Sequence, residues 1–181
     1  GSTSTKIGYY DAGEKILEQN LVHDAEQIAQ FSSVMDQEKW RRDIIVDYIV
    51  SQGISLTDID VSMARGGLIT PIRTGVYEVT QEMRDALTAA KEGAHACNLS
   101  ALIADDIAVM VNEARSVNGI ESRCRAFIAD PPMADEMLPE VKVGGLPEFP
   151  RRTLFHALNS RAMVRRYARN VGKTNKDVTV I

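Results

Sequence analysis

Residues 59–67 read Ile59-Asp60-Val61-Ser62-Met63-Ala64-Arg65-Gly66-Gly67. A short strand candidate over 59–64 runs straight into a cation and two glycines, which let backbone or ligand come close. A second stretch repeats the plan. Residues 125–129 (Arg125-Ala126-Phe127-Ile128-Ala129) read as a buried strand that stops at Asp130-Pro131-Pro132, because proline cannot continue a ladder. Proteins that pack helices on a sheet place function just past the carboxyl ends of strands. Arg65 and Asp130 stand at such positions. Both also admit a structural reading, as an ion pair or as loop caps.

The surrounding pattern extends this plan. Residues 6–10 and 15–22 read as two strands joined by a turn at Asp11-Ala12-Gly13. Asp24 is placed to cap a helix with Ile28 and Phe31 on one face. Trp40, Ile44, Ile45, Tyr48 and Ile49 recur at helical spacing over 37–51, and Gly53 ends that run. Residues 75–79 form another strand candidate, Thr80 opens a helix, and 98–116 is a long helix rich in Ala, Leu and Ile. Residues 133–149 are irregular, 152–171 are helical, and 178–181 look like the start of a strand. Alternating strands and helices after a hairpin predict an α/β fold, a mixed sheet flanked by helices. One strand is expected ahead of Gly1 and further sequence after Ile181, so the 181 residues read as a single domain of a longer protein.

A chain of 181 residues with 44% hydrophobic residues can bury one sizeable core. Its net charge of −4 argues against nucleic acid or a membrane surface as the main partner. The apolar runs are too short to span a bilayer. Cys97 and Cys124 lack metal-ligand spacing and read as free thiols of a reducing compartment, hence a cytoplasmic protein. Arg151, Arg152, Arg161, Arg165, Arg166 and Arg169 cluster near the last helix. With no aromatic platform between them they read as a mainly solvated face, Arg151 and Arg152 standing close to His156.

Gly1-Ser2-Thr3-Ser4-Thr5-Lys6 concentrates glycine, hydroxyls and a lysine, the chemistry that holds phosphate. It is not a Walker loop, because no second glycine precedes Lys6 and a strand follows in place of a helix. A loop at a strand hairpin can still aim N–H groups and hydroxyls at an anion; the alternative is a polar end without function. His95 precedes the long helix, and His156 lies inside the start of the last one. Each is a candidate donor or a packing residue. His23, before Asp24, reads as a surface or cap residue. Three histidines without paired spacing make no zinc site.

Five stretches carry a resemblance: residues 1–11 (GSTSTKIGYYD), 64–79 (ARGGLITPIRTGVYEV), 93–104 (GAHACNLSALIA), 127–137 (FIADPPMADEM) and 146–168 (LPEFPRRTLFHALNSRAMVRRYA). In this order and over nearly the whole chain they resemble the acetate and butyrate kinase (acetokinase) family, its butyrate-type branch above all. The resemblance implies a ribonuclease H-like domain of the sugar-kinase, heat-shock-cognate and actin (ASKHA) superfamily. It implies the N-terminal, substrate-side domain, with a first strand and a C-terminal ATP-binding domain outside this chain. The implied reaction is reversible phosphoryl transfer between ATP, with Mg²⁺, and a short-chain carboxylate, by an enzyme that pairs as a dimer. By the same resemblance Arg65, His95, Asp130 and His156 are catalytic, Asp130 acting through Mg²⁺. Ser2, Ser4 and Lys6 line the phosphate side, and Gly67, Ala94 and Phe155 border the acyl pocket. Small residues at 67 and 94 favour butyrate or a branched acid. The alternatives are an acetate- or propionate-preferring kinase, or a fragment or interaction domain without activity of its own.

Overall fold

The computed structural model describes residues 1–146 and 148–180. It begins with an antiparallel hairpin, β1 (Ser4–Asp11) and β2 (Glu14–Val22), in which Ser4 faces Val22 and Asp11 faces Glu14. Ala12 and Gly13 form the two-residue turn, with φ of 47° and 87°. Positive φ at both positions gives the turn the twist of the flanking strands, and glycine takes the more extreme value at no steric cost. A register shift between Tyr9 and Tyr10 marks a bulge.

Asp24 caps α1 (Ala25–Ile28), its Oδ1 accepting the Glu26 N–H at 3.0 Å. This helix is a single turn. Phe31 lies beyond it and packs on the Trp40 ring, centroids 5.2 Å apart. A 3-10 turn (Met35–Gln37) leads into α2 (Glu38–Ser51), which buries Ile45, Val46 and Ile49. Gly53, at φ 78°, ends it, and the Ile54 N–H returns to the Ile49 carbonyl.

The central sheet has three strands in the order β3 (Val61–Ala64), β5 (Arg125–Ala129), β4 (Val76–Glu78). β3 runs parallel to β5 and β4 antiparallel to it, so this sheet is mixed as expected. The hairpin forms a separate two-stranded sheet. Thr80 caps α3 (Gln81–Thr88) through the Met83 N–H. The twenty-residue α4 (Asn98–Val117) crosses beneath β3 and β5, with Leu99, Leu102 and Val111 inaccessible. These three alone contribute roughly 5–9 kcal/mol of burial against exposure, which makes α4 the spine of the core.

The last helix, α5 (Ala157–Asn170), starts five residues later than its pattern predicts. The reason is tertiary. The Phe155 N–H bonds the Pro132 carbonyl at 3.0 Å, and the Thr153 hydroxyl bonds the Ala134 carbonyl at 2.8 Å. These groups serve the loop after β5 in place of a first helical turn. Residues 178–180 form no strand, and Ile181 lies outside the described residues, as does Pro147 in the irregular stretch. Cys97 and Cys124 are free thiols. Among the described residues, no helix is long and apolar enough to cross a membrane.

Candidate active site

β3 and β5 end side by side, Ala64 opposite Ile128. Arg65 therefore emerges one residue past β3 and Asp130 two residues past Ile128, at the same end of the sheet. They do not pair with each other. Asp130 is buried and held at φ 41°, a left-handed conformation that Asp tolerates better than most residues. Its backbone N–H donates to the Gly75 carbonyl at 2.9 Å, and its Oδ1 accepts the Gly75 N–H at 2.8 Å. Its Oδ2 faces the Arg161 Nε of α5 at 3.4 Å. One carboxylate oxygen is thus tied to backbone and the other is shared with a cation.

Arg65 is exposed, and its Nη2 donates to the Nδ1 of His156, 91 residues away in sequence. His156 is the residue at which α5 begins, not a residue inside that helix. With Nδ1 accepting, the neutral ring carries its proton on Nε2. His95 has the same arrangement: its Nδ1 accepts the Cys97 N–H at 3.1 Å, which leaves Nε2–H as a donor. The fold thus supplies an exposed guanidinium and two imidazole donors around one end of the sheet.

Asn98 organises this end, and the sequence reading did not single it out. It is fully buried; its Oδ1 accepts the Leu68 N–H at 2.9 Å and its Nδ2 donates to the Gly93 carbonyl at 2.9 Å. It thereby ties the Arg65 loop to the His95 loop. Ser100 adds a bond from its hydroxyl to the Gly66 carbonyl at 3.0 Å. The signal available in sequence was an amide opening the long helix directly ahead of Leu99.

Gly67 has a packing reason of its own to be a glycine. Its smallness was read as room for an acyl chain, yet a Cβ there would meet the Asn98 Cα at 2.6 Å and Leu87 Cδ2 at 2.7 Å. The glycine is explained by close packing of the loop on α4. Ala94 is exposed in the His95 loop. Phe155 borders a cavity of about 340 Å³ together with Glu136, Met137, Arg152, Thr153 and Leu154, so neither Gly67 nor Ala94 lines it. Arg152 pairs with Glu92 and not with the His156 ring.

On the hairpin side, Ser2 and Lys6 are exposed and Ser4 is half-buried. His23 is not a surface or cap residue. It is buried, packs against Trp40 in a tilted arrangement with centroids 4.7 Å apart, and its Nε2 meets the Thr5 hydroxyl at 2.8 Å. Burial and the nearby Arg41 charge hold its pKa below 6.5. Burial pushes the Cys97 thiol up, with the Arg65 charge acting in the opposite direction. Among the described residues, no three His, Cys, Asp or Glu side chains gather as a metal cage.

No family model matches the chain. Three curated relatives align with it from end to end. It is 38% identical to Butyrate kinase 1 of Clostridium acetobutylicum and 39% identical to a probable butyrate kinase of Phocaeicola vulgatus. It is 35% identical to Butyrate kinase 2 of C. acetobutylicum. Each alignment covers 100% of this chain and 48% of the relative, so the chain spans about half the length of the curated relatives it matches. The chain is therefore a homologue of the butyrate kinases along its whole length.

Proposed function

We propose that this chain is the carboxylate-binding domain of a butyrate kinase-type phosphotransferase, built on an ASKHA fold and completed by a second domain that binds ATP. The observation that carries the reading is the Arg65–His156 contact, which joins the loop after β3 to the start of α5. A carboxylate is already a nucleophile, so the reaction needs no strong base. It needs alignment with the γ-phosphorus and neutralisation of charge on the equatorial oxygens.

Arg65 has donors left after bonding His156 and takes the carboxylate and the transferring phosphoryl group. The Nε2–H groups of His95 and His156 donate to its equatorial oxygens. Ser2, Ser4 and Lys6 serve the phosphate side, and Phe155 and Ala94 border the acyl chain. Mg²⁺ commonly keeps several waters and takes one or two carboxylates plus substrate phosphates. Asp130, with one oxygen not bound to backbone, fits that role as a single carboxylate, and the ion would neutralise phosphate charge. In this reading the reaction is reversible and the whole enzyme is a cytoplasmic homodimer.

Butyrate or a branched acid is the proposed substrate. Each methylene buried is worth about 0.8 kcal/mol, roughly fourfold in affinity. Close packing at Gly67 removes one argument for a long acyl chain, and this favours an acetate- or propionate-preferring site as the second reading. Calorimetric titration with acetate, propionate, butyrate and isobutyrate separates the two. Tightest binding of butyrate or isobutyrate supports the first, and tightest binding of acetate overturns it. Acyl phosphate formation from butyrate and ATP with Mg²⁺ by the 181 residues alone, trapped by added hydroxylamine as the hydroxamate, would overturn the need for a second domain.

A further inference from the structure

Arg41 is 3% exposed and, among the described residues, has no carboxylate partner. Buried cations are ordinarily paired, because an isolated charge is costly to take from water. Its hydrogen bonds are nevertheless complete. Nε and Nη2 donate to Gln37 Oε1 at 3.0 and 2.8 Å. Nη1 donates to the Gly1 carbonyl at 2.9 Å and the Thr5 hydroxyl at 3.1 Å, and Nη2 to the Ser2 carbonyl at 2.8 Å. All five N–H donors of the guanidinium are used, and every acceptor is neutral.

The two carbonyls decide what the turn presents. In a trans peptide the C=O and the following N–H point in opposite directions, and the described chain has no cis bond. Drawing the Gly1 and Ser2 carbonyls onto one guanidinium therefore turns the Ser2 and Thr3 N–H groups away from it. Neither amide has an acceptor among the described residues. The Thr3 carbonyl is in turn held by the His23 N–H at 2.9 Å, which fixes the turn from the other side. Successive N–H groups aimed one way make an anion-binding concavity.

We propose that Arg41 is the positioning residue of a phosphate cradle at residues 1–3. It turns two backbone amides outward and stands behind them as a buried positive charge with no internal counter-ion. A phosphoryl group at Ser2 and Thr3 supplies the missing negative charge. The inference rests on the carboxylate kinase reading, and it adds to the exposed hydroxyls and Lys6 a residue from α2 that never touches the ligand.

The test is a nuclear magnetic resonance titration of the 181-residue chain with inorganic phosphate, following the Thr3 amide and Arg41 Nε–H. A parallel titration with butyrate follows the His156 ring. Phosphate moves both Thr3 and Arg41 saturably in the unaltered chain. Arg41→Gln weakens that binding about tenfold, the scale of one charge-assisted bond, and Arg41→Lys recovers part of it, while the butyrate response of His156 stays. Phosphate binding by folded Arg41→Gln with unchanged affinity would overturn the proposal. So would a Thr3 amide unmoved by phosphate in the unaltered chain, a result that needs no variant. In that case a surviving butyrate response keeps the carboxylate reading, and loss of both responses removes that reading as well.

Discussion

Substitution of Gly67 by alanine is the sharpest structural perturbation available at this site. The added methyl would stand 2.6 Å from the Asn98 Cα and 2.8 Å from its Oδ1, against an ordinary contact that begins at 3.4 Å. Relief therefore requires a shift of about 0.8 Å in a backbone atom at the first residue of α4, the helix that anchors the core. Leu87, whose Cδ2 would stand 2.7 Å from the methyl, is fully buried. The same shift strains the Asn98 bonds to Leu68 and Gly93. Overpacking of this kind costs about 1–3 kcal/mol, and weakening two bonds adds about 1 kcal/mol each at most. A loss of about 3 kcal/mol is expected, which lowers Tm by roughly 6–12 °C for a chain of this size. Urea unfolding and calorimetry measure it. Gly145→Ala is the control, since among the described residues no atom lies within 4 Å of its Cβ position; it should change stability by less than about 0.5 kcal/mol. If Gly67→Ala is as mild as Gly145→Ala and instead shifts binding from butyrate toward acetate, the packing explanation is wrong and the residue borders the acyl chain.

Two further outcomes follow from the buried polar groups. Asp130→Asn retains an acceptor for the Gly75 N–H and a residue type that tolerates φ 41°, whereas Asp130→Ala loses both. The alanine variant should be about 2 kcal/mol less stable than the asparagine variant, measured as a difference in urea midpoint; equal stability would contradict the described loop. His23 gives a pH dependence. Its native pKa lies below 6.5, so under acid the unfolded chain takes up the proton more readily than the native one. Its contribution is fully present above pH 6.5 and is lost as pH falls from there toward the native value, with a slope of at most about 1.4 kcal/mol per pH unit. His23→Gln should flatten the fall in urea midpoint between pH 7.5 and 5.5, and an unchanged slope would show that another group sets it.

The parts of the fold legible in the sequence were those decided locally. Pro131 and Pro132 stop β5 where expected, Gly53 ends α2, and Asp24 and Thr80 cap the helices they precede. The parts that were not legible depend on distant neighbours. The start of α5 moved because residues 153–155 satisfy the loop after β5. His23 looked exposed because nothing nearby in sequence announces the Trp40 ring that covers it. The order β3-β5-β4 and the separation of the hairpin into its own sheet were not legible either, since register between strands far apart leaves no local mark.

The candidate site divides the same way. Arg65 and Asp130 could be found from their places after strands, and His95 and His156 from their residue type. The bonds that hold them could not. Neither Asn98 nor Arg41 stands out in the sequence. Only the packed structure reveals that each sends part of its polar groups to a loop 30 to 40 residues away.

The central claim is that Arg65 and His156 together receive a short-chain carboxylate. Its most direct test is the ring resonance of His156 during titration with butyrate, in the unaltered chain and in Arg65→Ala. The account predicts a saturable shift in the unaltered chain, abolished or weakened at least tenfold by Arg65→Ala with Tm unchanged, on the scale of one charge-assisted contact. A shift of the same size and affinity in both proteins, or none in either, would contradict it.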